Sequence, residues 1–435
     1  MKLIEKILSK ENLQIAIKKV KQNKGAPGID KMTVHEVEDW FNQYQEDVIS
    51  KIMNKQYRPM PVKRVYIPKP NGKERPLGIP TVVNRVIQQA MLQVLTEIYE
   101  PIFSDHSFGF RPRRSSHMAL EEVLRYLNEG YEWIVDLDIE KFFDTVNHDK
   151  LISILRENVN DSITLHLIRA YLRAGVLDKG LVKSTTIGTP QGGPISVILS
   201  NIYLDKFDKE LETRRLRFVR YADDCIIFTK SEMSANRVMK SVTSWLERKL
   251  FLKVSATKTK VVRPTKGQFL GFTFYKNGQG WNCKPTDDRK KRLYSKINKY
   301  LKRKHAVSRP LAVTFTKVNQ IVRGWINYFK IGSIKLFIDK FGQWLRHKIR
   351  CIIIKQWKKP RTIYKNLMKL NIACKCRFSD EEIFKCANTR LGWYRRSGLN
   401  IVNFIISPNV LAIQKGDRPG LVNPLNYFLR VCESI

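Results

Sequence analysis

Acidic residues, cysteines and long apolar runs are scarce in this sequence, and their scarcity limits the class of protein that it can encode. Its 435 residues include only 40 acidic side chains against 79 lysines and arginines, so the formal net charge is +39 at pH 7. The seven cysteines are scattered and odd in number, which fits a reducing compartment better than a disulfide framework. No stretch approaches the roughly 18 uninterrupted apolar residues of a membrane-spanning helix. We therefore expect neither a membrane protein nor a disulfide-stapled secreted protein.

Composition also excludes a disordered basic tail. Hydrophobic residues make up 43% of the chain and aromatic residues 10%, which is enough to build a folded core. Glu5 and Glu11 argue against a transit peptide, and the apolar pieces near them are too short for a signal sequence. The length predicts roughly three domains.

The positive charge is concentrated in the last third of the chain. Residues 1–280 hold 45 basic and 32 acidic side chains, a net +13, whereas residues 281–435 hold 34 and 8, a net +26. The densest run is DDRKKRLYSKINKYLKRK, residues 287–304. A charge run can be no more than a solvated helix face, but the acidic partners that interleave such a face are mostly missing here. The pattern therefore favours binding to a polyanion.

The hydrophobic pattern predicts strands in the middle of the chain and helices at its end. Thr81 has the residue type of an N-cap, and after it apolar residues recur at helical spacing, which predicts a long helix with one buried face. Residues 133–143 begin as an apolar strand, residues 218–228 read as a hairpin, and residues 269–274 (FLGFTF) read as one short strand. Helical spacing dominates after residue 285. The predicted fold class is α+β followed by an all-helical part.

Four carboxylates lie in these apolar strands. Asp136 and Asp138 are two residues apart, so both project from one face of a strand. Asp223 and Asp224 are adjacent and can converge at the tip of a hairpin. Each pair alone fits a solvent-facing turn or a helix cap, but buried carboxylates are costly unless they are paired or bind a metal. Together, on a basic chain, they favour a hard-cation site for nucleotidyl transfer.

The motifs around these carboxylates resemble those of reverse transcriptases. YADD (221–224) is similar to the Y-x-D-D box, and WIVDLDIEKFFDTVNH (133–148) is similar to the first carboxylate motif of that family. The remaining matches follow in the order expected for group II intron-encoded proteins: KGAPGID (24–30), RPLGIPTVVNRVIQQA (75–90), HSFGFRPRRSSHMAL (106–120), GTPQGGPISVILSNIYL (188–204), NQIVRGWINYFK (319–330) and LRHKIRCIIIKQWKKP (345–360). The resemblance to group II intron-encoded reverse transcriptase/maturases of the bacterial type covers nearly the whole chain.

This resemblance implies a catalytic centre at Asp138, Asp223 and Asp224. The same three residues, with the backbone carbonyl of Ile139, are the implied ligands of two Mg²⁺ ions, for which Mn²⁺ is a substitute. Asp136 then becomes a neighbour, a distinction that strand periodicity alone does not make.

The resemblance also implies contacts to substrates. The residues implied to contact the incoming nucleotide are Lys69, Arg75, Ile139, Phe143, Gln191 and Lys258. Phe143 takes the position of a steric gate against ribonucleotides, although one of Phe142 and Phe143 is expected in the core. The residues implied to contact template or primer are Lys24, Gly25, Arg111, Gly192 and Arg323.

The implied architecture is a right-hand polymerase, with fingers and palm in residues 1–280, a helical thumb in 281–340 and a maturase domain in 341–435. The implied function is RNA-directed synthesis of cDNA from intron RNA, with help in splicing that intron. The expected partners are group II intron RNA, an RNA template with a DNA or RNA primer, target DNA and dNTPs, with no membrane, and a homodimer is compatible with the resemblance. The expected location is the bacterial cytosol or nucleoid, and no C-terminal endonuclease domain is expected.

Two alternatives stay open at this point. One is a non-catalytic RNA-binding splicing factor that keeps the fold, against which the three intact carboxylates argue. The other is a reverse transcriptase of a retron or defence system, against which the maturase-like segment past residue 340 argues.

Overall fold

The computed structural model describes residues 2–68, 72, 74–178, 180–183, 187–188 and 192–433. The chain divides into two compact units, Met1–Gly267 and Gln268–Ile435. The first unit mixes helices and sheets and the second is mainly helical, so the predicted fold class is confirmed. The division at Gly267 lies before the predicted boundary at residue 280, and the finer division of the second part into thumb and maturase domains stays a prediction.

Helices form most of the first unit and surround two small sheets. The helices are α1 (Leu3–Ile7), α2 (Lys10–Gln22), α3 (Val37–Met53), α4 (Val82–Tyr99), α5 (Ser116–Asn128), α6 (Phe142–Thr145), α7 (His148–Arg156), α8 (Ser162–Arg173), α9 (Ile195–Thr213) and α10 (Glu232–Lys249). The strands are β1 (Val62–Pro68), β2 (Glu74–Ile79), β3 (Trp133–Asp138), β4 (Val176–Asp178), β5 (Leu181–Lys183), β6 (Arg217–Tyr221), β7 (Asp224–Thr229) and β8 (Lys260–Val262).

Each sheet of the first unit has four strands. One has the order β2-β1-β4-β5 and is built on the β1–β2 hairpin. The other has the order β6-β7-β3-β8, and all its pairs are antiparallel. In this second sheet β3 lies between β7 and β8, so the strand that carries Asp136 and Asp138 is central.

Two helices show why the sequence packs in this way. The predicted helix after Thr81 is α4, and the Thr81 side chain accepts a hydrogen bond from the Asn84 backbone N–H at its start. Helix α9 is buried on nearly every side, which is the pattern of a central helix. Two of its buried residues, Asp205 and Asp208, are acidic, and Asp208 lies behind the hairpin described below.

The second unit begins with a three-stranded sheet of order β11-β10-β9. Its strands are β9 (Gln268–Phe269), β10 (Phe272–Asn277) and β11 (Gly280–Pro285). The prediction of one strand over residues 269–274 is wrong, because Leu270 and Gly271 both adopt positive φ, 51° and 83°. Two consecutive positive φ angles make a tight hairpin turn, so the segment is a turn with β9 and β10 on either side.

Helices follow to the end of the described chain. They are α11 (Asp287–Leu301), α12 (Arg303–Ala306), α13 (Leu311–Phe329), α14 (Lys335–Trp357), α15 (Pro360–Ala373), α16 (Asp380–Asn388), α17 (Trp393–Arg396), α18 (Asn400–Ile405), α19 (Pro408–Ala412) and α20 (Pro424–Glu433). In α11 the predicted stripe of Leu293, Ile297 and Leu301 is buried. No helix among the described residues is long and apolar enough to cross a membrane.

Candidate active site

Strand register brings the predicted carboxylates to one end of the central sheet. Asp138 is the last residue of β3 and pairs directly with Asp224, the first residue of β7. In the β6–β7 hairpin Tyr221 pairs with Asp224, which leaves Ala222 and Asp223 as a two-residue turn. Directly opposed residues of an antiparallel pair have Cβ atoms about 4.5–5.5 Å apart. The hairpin turn therefore places Asp223 and Asp224 beside the end of the strand that carries Asp138.

Asp136 occupies a different place on the same strand. It pairs with Ile226 on one side and with Lys260 of β8 on the other, and the Lys260 ammonium lies 3.6 Å from its carboxylate. Burial raises the pKa of Asp136 above its ordinary value, and the charge of Lys260 partly offsets this shift. The structure thus separates Asp136, which faces a lysine within the sheet, from Asp138 at the strand end.

A second lysine lies on Asp138 itself. The Lys258 ammonium donates to both carboxylate oxygens, at 2.9 Å and 3.0 Å. Its loop is tied to the strand end, because Ser255 N–H donates to Asp138 O at 2.9 Å and Asp138 N–H donates to the Thr259 hydroxyl at 3.2 Å. A cationic group therefore already occupies the oxygens of the predicted metal ligand.

The carboxylates repel one another. Part of the Asp224 side chain is open to solvent, but desolvation by the surrounding protein and the charges of Asp223, Asp136 and Asp138 raise its pKa to about 6. Lys258 lowers this value only in part. A divalent cation relieves the same repulsion more strongly than one ammonium does.

The donor set fits a hard cation. Asp138, Asp223 and Asp224 lie at the same end of the sheet. The Ile139 side chain is buried, so only its backbone carbonyl is left to face a ligand. The hydrogen bonds that flank Ile139 use Asp138 O and Glu140 N–H, and neither of them uses the Ile139 carbonyl. All these donors are the oxygens that Mg²⁺ prefers. In the described part of the chain, no group of three or more His, Cys, Asp or Glu side chains is arranged to hold a metal ion.

An arginine for which the sequence motifs predict no role supports the hairpin from behind. Arg220 precedes Tyr221 and is 1% exposed, and its partner Asp208 of α9 is 0% exposed. Arg220 Nε donates to Asp208 Oδ1 at 2.7 Å, and Nη1 donates to the Ala222 carbonyl at 2.9 Å. The sequence does contain a sign of this role: an arginine inside the apolar run FVRY is expected to be buried, and a buried charge needs a partner.

The structure places Phe142 and Phe143 differently. Phe142 is 2% exposed and belongs to the core, whereas Phe143 is half-buried, packs against the core and meets the Phe142 ring edge-on at 5.3 Å. Of the two rings, Phe143 has the free surface that a gate against the ribose 2′-hydroxyl requires.

Two of the predicted substrate contacts lie at the β1–β2 hairpin: the nucleotide contact Arg75 and the template contact Gly192. Arg75 is exposed on β2, opposite Ile67 of β1. Gly192 has φ 119°, and a Cβ on it would lie 2.2 Å from the Gly78 carbonyl oxygen of β2, so glycine is required there. Lys69 and Gln191 lie outside the described residues.

The predicted template contacts divide into exposed and buried side chains. Lys24 is exposed, and Gly25 packs closely on Arg85, whose Nη2 donates to the Ala26 carbonyl at 2.7 Å. Arg323 of α13 is exposed and lies over the Tyr427 ring, 5.7 Å from its centroid.

Arg111 is the exception among them. Its side chain is 3% exposed and donates to the Glu100 carboxylate at 2.9 Å and to the carbonyls of Ser104 and Ser107 at 2.5 Å and 2.8 Å. Because these donors are used inside the protein, we assign Arg111 a structural role and do not carry it forward as a template contact.

Carboxylates at the end of an antiparallel sheet, on a chain that also has a strongly basic helical unit, are typical of template-dependent nucleic-acid polymerases. Two family models match the chain. "Reverse transcriptase (RNA-dependent DNA polymerase)" matches residues 67–274, and "Group II intron, maturase-specific domain" matches residues 290–371.

Individual relatives agree with these models. Protein YkfC of Escherichia coli is 32% identical over 311 residues, which cover 62% of this chain and 82% of that protein. The group II intron-encoded protein LtrA of Lactococcus lactis is 37% identical over 227 residues, 52% of this chain and 37% of LtrA. The putative COX1/OXI3 intron 2 protein of Saccharomyces cerevisiae is 28% identical over 387 residues, 74% of this chain and 44% of that protein.

The chain belongs to the family of group II intron-encoded reverse transcriptase/maturases. Its enzyme class is accordingly RNA-directed DNA polymerase, a class that uses divalent metal ions, and its maturase domain implies binding to intron RNA. The matched segment covers 37% of the length of LtrA.

Proposed function

We propose that this protein is a Mg²⁺-dependent reverse transcriptase that copies its parent group II intron RNA into cDNA and assists the splicing of that RNA. The observation that carries the proposal is the register of the central sheet, which opposes Asp138 to Asp224 and places Asp223 in the adjoining turn.

The metal ligands in this proposal are Asp138, Asp223, Asp224 and the Ile139 carbonyl. Two Mg²⁺ ions held there, with Mn²⁺ as a substitute, would supply Lewis-acid stabilisation of the attacking and leaving oxygens. Asp224, with a pKa near 6, is mostly ionised at pH 7 to 8 and therefore competent as a ligand.

The protein's own groups then position the nucleotide. Arg75 and Lys69 would hold the triphosphate, and Gln191 and Gly192 would lie under the templating pair. The half-buried Phe143 would contact the sugar at C2′ and exclude ribonucleotides. Lys258 must leave Asp138 when a metal binds, and its ammonium then becomes free to donate a proton from Nζ to the departing pyrophosphate.

The second unit supplies the grip on nucleic acid. Residues 268–435 hold 35 basic and 8 acidic side chains, a net +27. The exposed face of α11 carries Arg289, Lys291, Lys296 and Lys299, which suits the phosphate backbone of a template–primer duplex recognised by its shape. Lys24, Gly25 and Arg323 are the further contacts proposed. The proposed partners are intron RNA, primed RNA template, dNTPs and target DNA, and the proposed location is the cytosol or nucleoid.

Primer extension tests the polymerase part of this proposal. The purified protein, an RNA template, an annealed DNA primer and dNTPs should give full-length DNA with Mg²⁺ and none after chelation with EDTA. Finding no extension on primed RNA, at protein concentrations that bind the duplex, would contradict it.

The splicing part needs a separate test. The transcript that flanks the protein's own reading frame should splice faster at low Mg²⁺ when the protein is present, and an unrelated group II intron should not respond. Equal effects on both RNAs would contradict a role as a dedicated maturase.

A further inference from the structure

The buried ion pair behind the catalytic hairpin has no part in the chemistry described so far. Arg220 and Asp208 are almost completely enclosed, and they join a central helix to the strand that leads into Ala222 and Asp223. Arg220 Nη1 also donates to Asn201 Oδ1 at 3.2 Å. One guanidinium therefore holds two side chains of α9 and one backbone carbonyl of the turn.

We infer that Arg220, held by Asp208 and Asn201, is a positioning residue for catalysis: it fixes the turn that presents Asp223 and Asp224 to the metal ions. This inference rests on the proposed polymerase function. The role of the ion pair is then to hold the site in position, not to stabilise the fold as a whole.

The turn needs such a support. Ala222 has φ +58°, a left-handed conformation that costs an L-residue about 1–2 kcal/mol and persists only where the surroundings enforce it. The Ala222 carbonyl accepts its hydrogen bond from Arg220 in this conformation. If that bond is lost, the turn is free to relax and Asp223 moves with it.

A second contact closes the turn from the other side. A Cβ on Gly109 would lie 2.3 Å from Ala222 N, so the chain at Gly109 packs directly on the turn. The Gly109 carbonyl accepts from Asn201 Nδ2 at 2.9 Å, and Asn201 is also a partner of Arg220. The hydrogen bonds of Arg220 and Asn201 thus hold both the turn at Ala222 and the chain that packs on it at Gly109.

Stability alone is a poor explanation for the ion pair. Replacing a buried salt bridge by apolar side chains of similar volume is often neutral or stabilising, because the desolvation of both charges is avoided. What an apolar pair cannot supply is the directed hydrogen bond to the Ala222 carbonyl. Burial lowers the pKa of Arg220, but the charge and the hydrogen bonds of Asp208, with smaller contributions from Cys225 and Asp205, raise it above its ordinary value, so the guanidinium stays protonated.

Substitution of Arg220 tests the inference. Arg220→Lys keeps the charge beside Asp208, but a single ammonium cannot reproduce the fork that reaches both Asp208 oxygens and the turn. We expect a fall in kcat of about 10- to 100-fold, the scale of a misplaced reacting group, and a several-fold rise in the Mg²⁺ concentration for half-maximal rate. The dissociation constant for primed RNA template should change less than twofold.

The double variant Arg220→Met with Asp208→Leu removes both charges and covers the case in which Arg220→Lys folds poorly. It should melt near the wild-type temperature and show the same loss of kcat.

Arg350→Lys is the matched control, because Arg350 is a buried arginine of the second unit that donates to the Ile406 carbonyl at 2.8 Å and to Asn403 Oδ1 at 2.7 Å. We expect it to lower the melting temperature without changing kcat per folded molecule.

Three results separate the possibilities. A folded variant whose kcat stays within threefold of wild type would overturn the inference. So would a loss of activity that merely follows the folded fraction. An inactive wild-type protein would instead contradict the proposed function itself.

Discussion

The contact between Lys258 and Asp138 predicts that this lysine competes with the metal. Lys258 donates to both oxygens of Asp138, and a metal ion needs the same oxygens. Substituting Lys258→Met keeps much of the side-chain volume but removes the ammonium. The metal should therefore bind the free protein more tightly in the variant than in the wild type.

The size of the effect follows from the exposure of the pair. The Lys258 side chain is 67% exposed and that of Asp138 is 29% exposed, so solvent screening limits the interaction to about 1 kcal/mol or less. Since about 1.4 kcal/mol corresponds to a tenfold change in an equilibrium constant, we expect metal affinity to rise by up to about fivefold. Thermal stability without metal should change little.

Counting free Mn²⁺ by electron paramagnetic resonance during a titration measures this affinity directly, without nucleic acid. Lys260→Met is the matched control, because Lys260 lies 3.6 Å from Asp136, which is not a proposed ligand. We expect the control to change Mn²⁺ affinity less than twofold. Unchanged or weaker binding in Lys258→Met would refute the competition and, with it, the position assigned to the metal.

Three further predictions concern the sugar gate, a buried acid and a tight glycine. Phe143→Ala should admit ribonucleotides, seen as a fall in the ratio of kcat/KM for dNTP over rNTP, and unchanged discrimination would remove the gate assignment. Burial and the nearby Asp208 charge raise the pKa of Asp205 to about 6 from its ordinary 3.8, so its ionisation destabilises the fold. Asp205→Asn should therefore raise the free energy of unfolding at pH 8 by up to about 3 kcal/mol. This gain should shrink as the pH falls from 6 towards 4, because the wild-type carboxyl takes up its proton in that range. Equal gains at pH 8 and pH 4 in denaturant titrations would contradict this prediction. Gly192→Ala should cost about 1–3 kcal/mol because its Cβ would strike the Gly78 carbonyl, whereas Gly278→Ala, with nothing within 4 Å of its Cβ, should cost little.

Strand periodicity and turn patterns were enough to assign the carboxylates to one strand and one hairpin. The alternation in WIVDLD puts Asp136 and Asp138 on one face, and the apolar runs on either side of Asp223 predict a hairpin, which is the β6–β7 pair. Local patterns do not give register between distant strands. The resemblance singles out Asp138 over Asp136, and the pairing of β3 with β7 places Asp138, and not Asp136, opposite Asp224.

Tertiary contacts decided the features that the sequence did not reveal. FLGFTF has the composition of a strand, but positive φ at Leu270 and Gly271 turns it into a hairpin. Arg111 looks like a phosphate ligand in a basic motif, yet its donors are used by Glu100 and two carbonyls. Arg220 finds its counterion twelve residues earlier, on a helix, at a distance that no sequence pattern predicts.

A comparison of single-nucleotide incorporation by Asp223→Asn and Asp136→Asn tests the central claim most directly. On a DNA primer annealed to RNA with saturating Mg²⁺, Asp223→Asn should lose at least about 1,000-fold in the rate of incorporation, a loss on the scale of removing a group that acts only in the transition state. Asp136→Asn should lose less than tenfold, and both variants should bind the primed template as the wild type does. Equal losses in the two variants, or activity retained in Asp223→Asn, would contradict the account.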